Sequence, residues 1–233
     1  MERKITFDWN KGLISACIGL GGLCIFYFLI LVIFVGLSTK FNFVWLLAGV
    51  CLLLLGILLA KNLGLWRDER SVTAKPLLFA ILISIIGGLT LILSDIFFFG
   101  KYSEVIASSY AVKPTLPYLI ATVTYGAVIE EVMLRLFMMS LIALILKKLI
   151  RKEGAGILIA ANIVSALLFA AGHLPATIMM IGTTPLIIFR CFLLNGGIGL
   201  LFGWLYRKYG FRYAMIAHGG CHIISKLIWI LFI

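Results

Sequence analysis

Residues 76–99 read PLLFAILISIIGGLTLILSDIFFF, a run of apolar side chains with one charged residue, Asp95. An α-helix crosses the hydrocarbon core of a bilayer with about 20 predominantly apolar residues, so this stretch is long enough to form a transmembrane helix. Similar runs recur along the chain, with short polar segments between them. The sequence therefore predicts an all-α fold, a polytopic bundle of about seven transmembrane helices.

Prolines and short polar segments mark the ends of the predicted spans. Pro175 is predicted to end the fifth span, because the residue before a proline disfavours helical geometry. The segments between spans are too short for a soluble domain, so residues 1–233 are predicted to form a single integral membrane domain. In chain order, the predicted spans cover residues 13–37, 43–60, 76–99, 117–146, 156–173, 186–206 and 213–232.

The composition excludes several classes of protein. Hydrophobic residues make up 63% of the chain and charged residues 12%, whereas soluble domains have roughly 45–50% and about 25%. This excludes soluble globular enzymes and disordered chains. The five cysteines, an odd number at irregular spacing, indicate no disulfide framework.

The net charge of +11 would suggest a nucleic-acid partner in a soluble protein. Here the basic residues lie mainly in short loops between apolar runs, which is typical of membrane topology. With the N-terminus in the cytoplasm, the inner segments hold fourteen Lys and Arg residues and the outer loops hold three. We therefore predict a multi-pass protein of the cell membrane with a cytoplasmic N-terminus. The lipid bilayer is its expected surrounding, and no nucleic-acid partner is expected.

Ionisable residues inside a membrane are rare and are usually functional or paired. In this chain they concentrate in the second half and include all three histidines. This concentration indicates a candidate functional site. The residues concerned are Glu130, Glu131, Arg135, His173, Arg190, His218 and His222.

The fourth predicted span contains Tyr125-Gly-Ala-Val-Ile-Glu130-Glu131-Val-Met-Leu-Arg135. Neighbouring residues on a helix point about 100° apart, so the two glutamates are expected to face different places. Glu131 and Arg135, four residues apart, are expected to form an ion pair. Glu130 is then left unpaired in apolar surroundings, which suits a general base or acid. The alternative is one structural charge cluster of all three residues between helices.

The fifth predicted span carries His173 close to its end. Small residues at Ala166, Ala170 and Ala171 would allow this helix to approach the fourth span closely and bring His173 near it. The alternative is an interfacial histidine at a helix end.

His218 and His222 in the seventh span are four residues apart and share one helix face. The adjacent Gly219 and Gly220 remove steric bulk, which suggests that another element approaches closely. Two histidines in this arrangement are either hydrogen-bond donors to a common atom or ligands of one metal. The alternative is a pair of core histidines bonded to backbone carbonyls.

Other polar and small residues have less specific patterns. Gly199 and Gly203 form a GxxxG packing face in the sixth span. Asp95 is expected to lie at the membrane interface, near the end of the third span. The sequence leaves open whether Arg190 and Asn195 support the polar site.

Three motifs, in this order, resemble the family of CAAX prenyl proteases and bacteriocin-processing enzymes (CPBP). Glu130-Glu131-x-x-x-Arg135 matches its EExxxR motif, and Phe169-x-x-x-His173 matches its FxxxH motif. His218-x-x-x-His222 stands where the family has HxxxN or a relative of it. The resemblance covers roughly residues 117–225, about half of the chain.

The resemblance implies an intramembrane glutamate-dependent endopeptidase on a bundle of helices. Glu130 would activate the attacking water, His173 would hold or polarise it, and His218 would face the oxyanion of the tetrahedral intermediate. Glu131 and Arg135 would be the supporting ion pair. The resemblance requires no covalent nucleophile. Cys221, beside His222 in the third motif, would need a paired base to act as one.

His222 departs from the family, which commonly has asparagine at this position. An imidazole N–H can replace the amide as an oxyanion donor, but an imidazole can also bind zinc. We expect no metal cofactor. A zinc site built from Glu130, His173, His218 and His222 is the alternative, although the chain lacks the HExxH motif of zinc proteases.

The leading hypothesis is an endopeptidase that cuts a peptide or small-protein substrate at the membrane. Prenylated proteins and bacterial leader or signalling peptides are both candidate substrates. The first alternative is a catalytically silent relative that binds a peptide, for example in self-immunity against a bacteriocin. The second is a small transporter that uses Glu130 and the histidines as a proton relay, although the chain shows no duplicated halves. The sequence does not define the oligomeric state.

Overall fold

The computed structural model describes residues 43–67 and 72–233, and the regular elements in these ranges are all helices. The predicted all-α fold is confirmed there, and the predicted span 13–37 lies outside the described residues. The other six predicted spans are all found as helices. A short helix that the sequence did not predict, α3, lies between α2 and α4. In chain order, the helices are α1 (Phe43–Asn62), α2 (Ala74–Tyr102), α3 (Glu104–Ser109), α4 (116–150), α5 (Ala155–Ile181), α6 (Pro185–Tyr209) and α7 (Phe211–Phe232).

Four of these helices, α2, α5, α6 and α7, are long and apolar enough to cross a membrane. Many of their large apolar side chains face outward; Ile86 on α2 is 55% exposed and Leu167 on α5 is 52% exposed. An apolar outer surface of this extent is unfavourable in water and favourable in lipid. The chain is therefore a helical membrane protein.

Pro175 does not end its helix, so that prediction is wrong. α5 continues through Pro175 to Ile181, and His173 lies inside the helix rather than at its end. Proline lacks a backbone N–H and removes one hydrogen bond from a helix. Transmembrane helices tolerate this loss, because neighbouring groups can satisfy the freed carbonyl.

Three of the helices contain π-helical segments. These segments are Asp95–Phe99 in α2, Tyr125–Glu130 and Val132–Met139 in α4, and Phe192–Gly196 in α6. A π segment has i→i+5 hydrogen bonds and changes the direction of the side chains that follow it. Each of the three helices carries a polar or charged side chain in such a segment: Asp95 in α2, Glu130 in α4 and Asn195 in α6.

Small residues bring α7 close to α2. A Cβ atom at Gly88 would lie 2.8 Å from the Cβ of Ile224, so the two helices meet nearly backbone to backbone there. The Ser84 hydroxyl lies 2.8 Å from the Ala80 carbonyl of its own helix and 3.2 Å from the Ala217 carbonyl of α7, beside Gly220, and shares its single proton between them. This contact fixes the position of α7, which carries two of the three histidines.

The predicted GxxxG face packs against α5. A Cβ atom at Gly203 would overlap the Asn162 amide, whose nitrogen donates to the Leu200 carbonyl at 3.0 Å. Ala166 and Ala170 face the glycines of α6 rather than α4, which corrects the predicted partner of these small residues. α5 still approaches α4, through a hydrogen bond from the Ser165 hydroxyl to the Leu134 carbonyl at 2.7 Å.

Candidate active site

A cavity of about 220 Å³ lies where α2, α4, α5, α6 and α7 meet. Its wall includes Glu130, His173, His218 and His222, the four residues that the resemblance marks as catalytic. Most of the remaining wall is apolar. Four residues from three separate helices therefore share one cavity of the bundle.

Glu130 lies between two of the histidines. Its Oε1 atom is 3.6 Å from His173 Nε2, and its Oε2 atom is 3.6 Å from His218 Nε2. Both distances are longer than an ordinary hydrogen bond. The side chain is 14% exposed, so its carboxylate remains open to a small molecule in the cavity.

The other ring nitrogen of each of these histidines has a partner that only accepts hydrogen bonds. His173 Nδ1 lies 2.9 Å from the Phe169 carbonyl oxygen, and His218 Nδ1 lies 2.8 Å from Glu131 Oε1. Both Nδ1 atoms must therefore carry a proton. In the neutral rings, both Nε2 atoms then present a lone pair toward Glu130.

His218 contacts both glutamates, although Glu130 faces the cavity and Glu131 faces Arg135. The two carboxylates approach opposite nitrogens of the same ring, with Glu130 at Nε2 and Glu131 at Nδ1. The Phe202 ring stacks on His218 with 4.5 Å between ring centroids. The imidazole is thus held by a carboxylate at one edge and by an aromatic ring on its face.

The predicted ion pair between Glu131 and Arg135 is present and buried. Arg135 Nε lies 3.5 Å from Glu131 Oε2, and the two side chains are 1% and 0% exposed. The guanidinium also donates to the Gly199 carbonyl at 2.9 Å and lies 4.6 Å from the centroid of Phe169. A Cβ atom at Gly199 would lie 2.9 Å from Arg135 Nη2, so this glycine makes room for the guanidinium.

His222 stacks on His218, with 5.1 Å between ring centroids, as the shared helix face predicts. Its Nδ1 atom is buried and has no hydrogen-bond partner among the described residues. A Cβ atom at Gly126 would lie 2.6 Å from His222 Nε2 and 3.0 Å from His218 Nε2. Gly126 on α4 is therefore a residue of the site that the sequence did not single out, although its position four residues before Glu130 is a usable signal.

Gly219 and Gly220 also have the close neighbours that the sequence suggested. A Cβ atom at Gly219 would lie 3.1 Å from the Ala127 Cβ of α4, and one at Gly220 would overlap Ser84 of α2. Within residues 43–67 and 72–233, no group of three or more His, Cys, Asp or Glu side chains is arranged to hold a metal ion.

Asp95, near the end of α2, is buried within the protein. It is 3% exposed, forms a two-pronged ion pair with Arg190 and accepts a hydrogen bond from the Tyr110 hydroxyl at 2.7 Å. Burial and the Asp95 carboxylate raise the pKa of the Tyr110 hydroxyl above its ordinary value. Two opposite charges in apolar runs are a signal for such a pair. Arg190 thus supports Asp95, whereas Asn195 lines the cavity.

Comparison with known families finds a match over the part of the chain that carries these residues. Residues 112–224 match the family described as "Type II CAAX prenyl endopeptidase Rce1-like", and this range contains all six residues of the predicted site. No curated protein and no solved structure matches the chain. The family is one of membrane proteases, which supports a peptide hydrolase. Over residues 112–224, just under half of the chain, the protein is therefore similar to the Rce1-like family of type II CAAX prenyl endopeptidases.

Proposed function

We propose that the protein is an intramembrane endopeptidase that hydrolyses a peptide or small-protein substrate with a water activated by Glu130. The observation that carries this proposal is the Glu130 carboxylate, which faces His173 Nε2 and His218 Nε2 at 3.6 Å across a cavity of the bundle. A carboxylate base with nearby positioned nitrogens is sufficient for peptide hydrolysis. The family match supports the same reaction.

The tautomer of His173 defines how the water is held. With its proton on Nδ1, the neutral ring accepts a hydrogen bond at Nε2. A water in front of Glu130 can donate one hydrogen to the carboxylate and the other to His173. Its oxygen lone pair is then free to attack the substrate carbonyl. Glu130 takes the proton during attack and gives it to the leaving amine as the C–N bond breaks.

The oxyanion of the tetrahedral intermediate needs hydrogen-bond donors. His218 donates through Nδ1 to Glu131, so its Nε2 can donate to an oxyanion only when the ring is doubly protonated. The Glu131 carboxylate, 2.8 Å away, stabilises that cation. His222, stacked on His218, supplies a second N–H in place of the family's asparagine amide.

The test compares the purified wild type with Glu130→Gln and His222→Asn in lipid nanodiscs. The probes are fluorogenic peptide mixtures with and without a prenylated cysteine, and the metal content of each protein is measured. We expect Glu130→Gln to lower turnover by about 10²–10⁴-fold, the contribution of a general base. His222→Asn is expected to retain activity without bound metal. The matched control is Glu104→Gln, an exposed acid on α3 outside the cavity.

Either of two results contradicts this mechanism. If Glu130→Gln cuts as fast as the wild type, Glu130 is not the base. If the wild type binds zinc, and His222→Asn loses both the metal and the activity, the site is a metalloprotease.

A second candidate function is a silent peptide binder, for example a bacteriocin self-immunity protein. The observation that favours it is His222, which departs from the family's asparagine and has a buried Nδ1 without a partner among the described residues. A binder would protect cells from a peptide without cutting it, and Glu130→Gln would leave that protection unchanged. Loss of protection together with loss of cutting would instead support the endopeptidase.

A further inference from the structure

We propose that a groove between α2, α5 and α6 binds an anionic phospholipid, whose phosphate is held by Arg207. Ile83 of α2, Ile163 of α5 and Leu200 of α6 line this lipid groove, which has a volume of about 440 Å³. It shares no lining residue with the cavity that contains Glu130. The inference therefore goes beyond the proposed peptidase activity and does not rest on it.

The lipid groove opens toward the hydrocarbon around the bundle. α6 packs against both α2 and α5, and the groove follows α6 between them. Ile159, Ile163 and Leu200 line it with exposed apolar side chains. Ile83 and Asn162 line its buried part. The groove is therefore a mostly apolar recess that a lipid can enter sideways from the bilayer.

Arg207 gives the lipid groove a positive charge at one end. It lies in the last turn of α6, is half-buried and lines the groove. Among the described residues, the carboxylates form ion pairs with other partners, and none of these pairs includes Arg207. A half-buried cation without a counter-ion favours an anionic ligand. The planar guanidinium can donate two parallel hydrogen bonds to a phosphate.

A second cation lies beside the same end of the groove. Lys208 Nζ lies 5.4 Å from the centroid of Trp204 and 5.6 Å from the centroid of Tyr209, at cation–π distance. The Lys208 side chain is exposed, so its ammonium group can also reach a lipid headgroup. A zwitterionic lipid carries its own cation, which Arg207 and Lys208 would repel. The two cations thus favour a lipid with a net negative charge.

Aromatic rings indicate the depth of the groove in the bilayer. Trp204, three residues before Arg207, packs edge-on against Phe79 with 5.5 Å between ring centroids, and Phe79 stacks on Tyr209 at 5.6 Å. Trp and Tyr are enriched at the level of the lipid headgroups, so the Arg207 end is expected there. Leu200 precedes Arg207 by seven residues, a rise of about 10 Å, which is roughly two thirds of the hydrocarbon of one leaflet.

A transmembrane helix is the competing occupant, and the size and charge of the groove favour the lipid. A volume of about 440 Å³ over a length of about 10 Å gives a mean cross-section of about 40 Å². A helix about 10 Å across has a cross-section of about 80 Å². The predicted span 13–37, which lies outside the described residues, contains no carboxylate to pair with Arg207. An anionic lipid supplies both thin apolar chains and a negative charge.

The test counts the lipid bound to the purified protein by native mass spectrometry. The protein in neutral detergent is titrated with phosphatidylglycerol and with phosphatidylcholine of the same acyl chains. We expect one saturable site that prefers phosphatidylglycerol. Arg207→Met should weaken its binding roughly ten- to a hundredfold, as for the loss of a hydrogen bond to a charged group, and Arg207→Lys should keep part of the affinity. Lys152→Met is the matched control, because Lys152 is an exposed cation just before α5 and outside the groove.

A second pair of variants tests the apolar part of the groove. Ile163→Trp fills the groove without changing the charge and should weaken the binding of phosphatidylglycerol. Leu167→Trp places the same ring one turn further along α5, at an exposed position outside the groove, and should leave binding unchanged. Phosphatidylglycerol should also raise the unfolding temperature of the wild type and of Leu167→Trp, but not that of Arg207→Met or Ile163→Trp.

Four results would overturn the lipid groove. Equal binding of the two lipids, or an equal loss in Arg207→Met and Lys152→Met, would mean a general attraction between charges. Displacement of the lipid by equimolar inorganic phosphate would mean a site for a free anion. Unchanged binding in Ile163→Trp would place the lipid elsewhere. In native membranes, a disulfide from Ile163→Cys to Cys17 or Cys24 of the predicted span 13–37, or to a second copy of the chain, would mean that a helix fills the groove.

Discussion

Gly126 determines how closely the backbone of α4 can approach the two histidines of α7. A methyl group there would press on His222 Nε2 and His218 Nε2. We expect Gly126→Ala to lower peptidase turnover at least about tenfold, since a displacement of about 1 Å can cost more than that. The measurement is kcat/KM together with thermal unfolding in nanodiscs.

The control for this variant is Gly197→Ala. Gly197 lies in the interior of α6, and a Cβ atom there would have no neighbour within 4 Å. Alanine is favoured over glycine in helices by about 1 kcal/mol, so this change should preserve activity and not lower stability. Equal activity of both variants would show that the histidines do not need the space at Gly126.

Glu130 and Glu131 are adjacent, but substitution of Glu131 is expected to affect stability and substitution of Glu130 is expected to affect activity. Glu131 is fully buried with Arg135, and removing one partner leaves the other charge buried and unpaired. We expect Glu131→Gln to lower the free energy of unfolding by about 3–5 kcal/mol. The double variant Glu131→Gln/Arg135→Met should recover part of this loss. Glu130→Gln should remove activity with little loss of stability, because its carboxylate accepts no short hydrogen bond in the described structure.

Thermal unfolding of the three variants checks this difference. If Glu131→Gln unfolds at the wild-type temperature, the pair does not support the fold. If Glu130→Gln is the less stable of the two single variants, the assignment of base and supporting pair is reversed.

At the scale of the helices, the contact between α2 and α7 positions the histidines. A methyl group at Gly88 would lie 2.8 Å from the Cβ of Ile224 and 3.0 Å from the Cys221 carbonyl oxygen. We expect Gly88→Ala to push the helices apart and to lower the free energy of unfolding by about 1–3 kcal/mol, the usual cost of overpacking. Turnover should fall as well, since α7 carries His218 and His222.

The comparison for Gly88→Ala is Gly172→Ala on α5, where a Cβ atom would have no neighbour within 4 Å. This change removes the same amount of backbone freedom without a clash. Unfolding temperature and kcat/KM are measured for both. A Gly88→Ala variant as stable and active as Gly172→Ala would show that the two helices do not pack this closely.

At the scale of the whole molecule, the features that the sequence predicts are those that depend on a local pattern of residues. Apolar runs predict the helices, and ionisable residues within those runs predict the site residues Glu130, His173 and His218. Both signals arise from the high free-energy cost of placing polar groups in lipid. The continuation of α5 through Pro175 and the pairing of Asp95 with Arg190 depend on contacts between helices distant in the chain. A charge in an apolar run signals that Asp95 and Arg190 each need a partner, but no single stretch of sequence identifies that partner, and only the folded molecule shows that they pair.

The orientation of the bundle is the prediction that concerns the whole chain. Fourteen basic residues against three predict that the segment around Lys152 lies in the cytoplasm and the segment around Val112 outside. We expect an impermeant maleimide to label Val112→Cys in intact cells and Lys152→Cys only after permeabilisation. Both positions are exposed, so reagent access is not limited by the fold, and the unsubstituted chain gives the background from its native cysteines. The opposite labelling pattern would mean an inverted bundle. Labelling of both sites from outside would mean that α4, which carries Glu130 and two π segments, does not cross the membrane.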